Sequence, residues 1–110
     1  MARLKIELTF LHEDRDQWTG RIQTFIDEVD RWLRSDAVGE EWAVSAGARE
    51  WRNDDGEKYL TTSVFCEVHD VRDRWPGVRD LLETHDLLDQ AVVTGVLEEE
   101  GDLERVWPDV

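Results

Sequence analysis

The chain has 110 residues, 27 acidic and 13 basic, for a net charge of −14 at neutral pH. At this length one domain spanning 1–110 is expected, burying about two-thirds of the surface that the unfolded chain exposes. No apolar run approaches the ~20 residues a membrane helix needs. So many carboxylates also argue against direct nucleic-acid binding, which depends on Lys and Arg displacing phosphate counterions.

Met1 to Lys5 lacks the apolar core and small-residue cleavage site of a signal peptide, and already alternates like a strand. One cysteine, Cys66, excludes an internal disulfide, and a reduced thiol fits a cytoplasmic address. Only Lys5 and Lys58 are lysines among the 13 basic residues. A GC-rich genome and adaptation to high salt both give that skew.

The first predicted element is a strand from Arg3 to His12, with Leu4, Ile6, Leu8 and Phe10 on one face. Trp18, Ile22, Phe25, Ile26, Val29, Trp32 and Leu33 follow at spacings of three and four, which predicts an amphipathic helix. Asp14 or Asp16 is its candidate cap, Arg31 and Arg34 suit its negative end, and Ser35 to Gly39 ends it. A hairpin comes next, from Glu41 to Arg52 and from Lys58 to Asp70, turning at Asn53-Asp54-Asp55-Gly56. These residues tolerate positive φ and bond the turn backbone. The second helix is expected to open near Pro76, with Val78, Leu81, Leu82, His85 and Leu88 inward and Asp80, Glu83, Asp86 and Asp89 outward. Ala91 to Glu98 reads as the last strand of a core covering about 2–98. The acidic extension 99–110 carries Leu103, Val106 and Trp107 and is expected to dock on that core.

The order β-α-β-β-α-β predicts an α+β, ferredoxin-like sandwich: a four-stranded antiparallel sheet in the order 4-1-3-2 with both helices on one face. The other face is expected to show Lys5, Glu7, Thr9, Ala43, Ser45, Gly47, Arg49, Tyr59, Thr61, Ser63, Phe65 and Thr94. Solvent, the C-terminal extension or a second copy in a homodimer are the three covers it admits.

Chemistry has few footholds in this sequence. His12, His69 and His85 each precede a carboxylate. In this fold, however, His12 and His69 fall at opposite ends of paired strands, roughly 30 Å apart at ~3.3 Å per residue. None of the three has zinc-type spacing, so no metal or other cofactor is expected. Cys66 shares the apolar phase of its strand, which predicts a buried, protonated thiol. No G-x-S-x-G or phosphate-cradling glycine loop occurs, and an enzyme is not expected. An RNA-reading sheet needs aromatics among basic neighbours. Phe10 has the wrong phase for that role, and the surroundings of Phe65 do not read as basic.

Among the six tryptophans, Trp18, Trp32 and Trp42 fit buried phases. Trp51, Trp75 and Trp107 fall near element ends, where an indole can anchor an interface. Residues 80–110 hold ten carboxylates and one Arg. The leading expectation is a non-catalytic acidic module that binds a basic partner protein, as an inhibitor or immunity factor does, with carboxylates imitating nucleic-acid phosphates. Its candidate contact residues are Asp54, Asp55, Glu57, Asp80, Glu83, Asp86, Asp89, Glu98, Glu99, Glu100 and Trp107. The alternatives are a dimeric ferredoxin-like domain that binds a small ligand in a cavity near Tyr59, His12 or His85, and an acidic domain of a salt-adapted organism.

Overall fold

The computed structural model describes residues 2–36, 40–97 and 102–108. The chain forms β1 (Ala2–Leu11), α1 (Arg15–Asp36), β2 (Trp42–Arg52), β3 (Lys58–Val68), α2 (Val71–Thr84), β4 (Ala91–Leu97) and β5 (Asp102–Trp107). Short 3-10 turns occupy His12–Asp14 and Leu88–Gln90. The strands make one antiparallel sheet in the order β2-β3-β1-β4-β5. The expected order 4-1-3-2 is kept among the first four strands, and the correction is a fifth strand, drawn from the extension, beside β4. β5 pairs along β4 from Leu97↔Asp102 to Val93↔Trp107, giving β4 a ladder partner on a side that would otherwise be an open edge.

β1 is the central strand, and every second residue of it is buried. Leu4, Ile6 and Leu8 meet Phe25, Val29 and Leu33 of α1, Val78 and Leu82 of α2, and Val64, Cys66 and Val68 of β3 in one core. Each such side chain contributes about 1.5–3 kcal/mol through removal from water. The helices approach closely where Gly77 of α2 lies under the Trp32 indole of α1. A Cβ there would come within 2.4 Å of the ring.

α2 starts earlier than Pro76 suggested. Asp70 is its N-cap, accepting from the Arg72 and Asp73 amides at 2.9 and 3.4 Å, so Pro76 lies inside the helix. A side-chain acceptor at the end of β3 satisfies orphan amides that proline at position 76 leaves unaddressed. The helix also stops before Leu88. Asp86 takes a left-handed φ of 58°, and the Leu87 amide donates to the Leu82 carbonyl at 2.8 Å, the pattern of a Schellman termination. Asp86 and Asp89 therefore lie beyond α2 instead of on its outer face.

β2 departs most from simple alternation. Its register against β3 slips between Ser45↔Val64 and Gly47↔Ser63, leaving Ala46 as an extra residue beside Gly47 at φ +109°. A bulge of this kind reverses which face the following residues occupy, and glycine holds such a φ without strain. Ala43 and Ser45, expected on the open face, share the helix-side phase with Cys66 and Val64. Trp42 and Val44, expected inside, pair with Glu67 and Phe65 on the open face.

Glu41, just before β2, is fully buried. Its Oε1 accepts from the His69 amide at 2.9 Å and from Arg74 Nε at 3.2 Å, while its Oε2 lies 2.9 Å from Arg74 Nη2. The pair joins the start of β2 to α2 across the β3–α2 junction. Glu41→Ala leaves the half-buried Arg74 without this counter-charge and the His69 amide without its acceptor, and is expected to lower the unfolding free energy by about 3 kcal/mol. Arg72→Ala, which removes only the exposed pair with Glu104 at 3.8 Å, is expected to cost about 1 kcal/mol or less. Urea denaturation at neutral pH measures both.

Candidate functional site

The carboxylates singled out in the sequence separate into distinct groups. Asp54, Asp55 and Glu57 sit at the β2–β3 turn, where Asn53 Oδ1 accepts from the Asp55 and Glu57 amides at 3.1 and 2.8 Å. Asp80 and Glu83 are exposed on α2, and Asp89 is exposed in the following 3-10 turn. Asp86 is exposed 3.5 Å from Arg21 of α1. Glu98, Glu99 and Glu100 lie outside the described residues. β1 ends with Leu11 opposite Tyr59, and β4 begins with Ala91 opposite Leu8. The hairpin tip, the 12–14 turn and the 86–90 segment therefore share one end of the sheet.

Among the described residues Asp54, Asp55, Asp80, Glu83 and Asp89 have no ion-pair partner, whereas Asp30, Glu41, Glu50, Glu67 and Glu104 each lie against a cation. Trp107 stands apart from this group as a packing residue. Its ring is half-buried 6.3 Å from Trp75, with Arg79 above it at 4.9 Å, and its indole N–H donates to the Leu88 carbonyl at 3.1 Å.

A second surface is the sheet face that no helix covers. Cross-strand register gathers there Trp42, Val44, Gly47, Arg49 and Trp51 from β2, Tyr59, Thr61, Ser63, Phe65 and Glu67 from β3, and Arg3, Lys5, Glu7 and Thr9 from β1. Val92, Thr94 and Val96 of β4 and Arg105 of β5 complete it. Trp51 stacks on Tyr59 at 4.8 Å and donates its indole N–H to Thr61 Oγ1 at 2.9 Å. Thr61 Oγ1 is in turn 2.9 Å from Thr9 Oγ1. A concavity of about 370 Å³ opens beside the bulge, lined in part by Lys5, Glu7, Arg49, Thr61, Ser63 and Phe65.

The surroundings of Phe65 are more basic than alternation suggested. The Arg3 guanidinium lies 5.2 Å from its ring centroid, and Lys5 is its direct cross-strand partner. The assignment of Trp42 and Val44 to this face was missed in the sequence. The available signal was Ser45-Ala46-Gly47, three small residues within a strand, the composition in which bulges occur.

Cys66, His12, Glu50 and His85 are held by burial or by neighbouring side chains. Burial, before the charges of Asp30 and Glu67, pushes the Cys66 thiol up to about 12, so it stays protonated at physiological pH. Arg15, which only donates, reaches His12 Nδ1 at 3.2 Å, leaving Nε2 to donate to Glu50 at 2.9 Å. Hydrogen bonds from Lys58 first and His12 second hold the Glu50 carboxyl below its ordinary range. A concavity of about 370 Å³ adjoins this network, lined by Leu11, His12, Glu13, Arg15, Glu57 and Lys58. His85 Nε2 is 2.8 Å from Glu28, bridging α2 to α1. Among the described residues no three His, Cys, Asp or Glu side chains converge as a metal site would require, and no helix is long and apolar enough to cross a membrane. No family model, curated protein or solved structure matches the chain.

Iodoacetamide at mildly alkaline pH is expected to leave Cys66 unmodified in the native protein and to alkylate it fully in guanidinium. Mass spectrometry of the two samples reads the difference, and rapid native labelling would contradict the buried, protonated thiol.

Proposed function

We propose that this chain is a non-catalytic interaction module: a ferredoxin-like core, widened by β5, whose unpaired carboxylates engage a basic partner protein as an inhibitor or immunity factor does. The observation that supports this reading is how the charges are distributed. Several cations lie on seams within the fold, with Arg74 against Glu41, Arg3 against Glu67 and Arg21 against Asp86. Asp54, Asp55, Asp80, Glu83 and Asp89 remain exposed without an internal counter-ion among the described residues. Carboxylates arranged in this way attract a cationic surface over about a Debye length and accelerate encounter by roughly 10–10³-fold at low salt. On a partner that binds nucleic acid, they would occupy positions that phosphates take.

Asp86 is a poor residue for testing this, because its left-handed backbone terminates α2 and a lysine there adds strain. The triple variant Asp80→Lys/Glu83→Lys/Asp89→Lys avoids that position. The wild type, immobilised and exposed to host lysate, is expected to retain a basic protein at low salt and lose it as salt rises. The triple variant is expected to retain at least about tenfold less. Retention unaltered by the substitutions, or no retention by the wild type, would overturn the proposal.

A further inference from the structure

The open sheet face carries a feature that the acidic surface does not account for. Trp42 is 37%, Val44 49%, Trp51 36% and Val92 38% exposed, and no other large hydrophobic among the described residues is as open to solvent. All four lie on this face. Two of them are there because of the bulge at Ala46 and Gly47, which carries Trp42 and Val44 outward and leaves Ala43 and Ser45 on the helix side. In an isolated monomer that choice exposes the larger apolar groups of the strand and gains nothing from the hydrophobic effect.

Charge separates this face from the rest of the molecule. It carries four cations, Arg3, Lys5, Arg49 and Arg105, against two carboxylates, Glu7 and Glu67, in a chain of net charge −14. Its centre is nearly neutral, because Arg3 pairs with Glu67 at 2.6 Å and Lys5 with Glu7 at 3.7 Å. Arg49 and Arg105 belong to the outer strands β2 and β5, where they can stay solvated at a rim. The face also has the dimensions of a stable interface. Five strands spaced ~4.8 Å apart and about nine residues long at ~3.3 Å per residue give roughly 700 Å², close to the ~800 Å² per partner of a standard protein contact.

From these observations we infer that the open face seats a second copy of this chain, sheet against sheet about a two-fold axis. A self-complementary patch of this kind brings Trp42, Val44 and Val92 into a shared apolar layer and lets the Arg3–Glu67 and Lys5–Glu7 pairs exchange partners across the axis. Paired in this way, two acidic chains bring together only Glu7 and Glu67 of each face, both beside a cation, and leave the hairpin tip and the outside of α2 exposed. The inference is independent of the acidic-surface reading, and either can fail alone.

Sedimentation equilibrium across a concentration series tests it, using the wild type, Val44→Glu, Val92→Glu and the control Thr24→Glu on the exposed side of α1. The wild type is expected to reach twice the monomer mass at micromolar concentration, and to associate more tightly as salt screens the mutual repulsion. Val44→Glu and Val92→Glu should each weaken association at least about tenfold, with far-UV circular dichroism unaltered, while Thr24→Glu should not. If Val44→Glu fails to fold, Val92→Glu decides. A wild type that remains monomeric at millimolar concentration in moderate salt overturns the inference. So does a dimer that neither face variant weakens, or association that weakens steeply with salt, the behaviour of an acidic ligand on the Arg49 and Arg105 rim.

Discussion

Two helices can cover only one face of a sheet, and that constraint governs the rest of this molecule. α1 and α2 fill the side on which Leu4, Ile6 and Leu8 of the central strand point, and the core there is closed by Val64, Cys66, Val68 and Val93. Nothing of comparable size is left in the described chain to cover the opposite side. β5 widens the sheet at its edge and does not fold over it. The composition of the bare face follows from pleat and register, and it differs from the rest of the surface in both polarity and sign of charge. Tertiary packing thus yields two exteriors, a broad acidic one and a smaller one that is apolar and slightly cationic.

Electrostatics reinforces the same division. Cations are scarce, and two are placed where elements meet: Arg74 on buried Glu41 between α2 and the start of β2, and Arg21 of α1 on Asp86 just past α2, while Arg34 pairs with Asp30 within α1. Asp30 in addition accepts from the Ala43 amide at 3.0 Å, holding the end of α1 to β2. A pair such as Arg74–Glu41, with its carboxylate fully buried, stabilises little when compared with apolar replacements, yet losing one partner is costly. Glu41 and Asp30 both hold the start of β2, the first to α2 and the second to α1. Carboxylates without such partners are left at the hairpin tip, on the outside of α2 and in the 86–90 segment, where they repel one another and any other anion.

Much of this fold was legible in the sequence, because it rests on local periodicity. Leu4 to Phe10 alternate without interruption, Ile22 to Leu33 repeat at helical spacing, and the Asn53 to Gly56 turn joins strands of matched length. The first four strands and both helices follow from those patterns. What was not legible depended on single positions. Asp70 caps α2 more effectively than Pro76 opens it, a competition decided by hydrogen bonds from two amides. Asp86 ends the helix by adopting a left-handed conformation, which aspartate does more readily than most residues. Above all, the extra residue at Ala46 inverts the phase of β2, so a strict period-two reading placed Trp42 and Val44 in the core. The same error hid the apolar character of the open face, since Trp42 and Val44 were assigned to the core.

The proposed dimer covers the bare face in solution and leaves the acidic exterior open. Hydroxyl-radical footprinting at two protein concentrations, one well below and one well above the association midpoint, addresses it residue by residue. Trp42, Tyr59 and Phe65 are predicted to lose reactivity as concentration rises, with Trp18 on α1 unchanged as an internal reference. Equal labelling of all four at both concentrations would contradict the account.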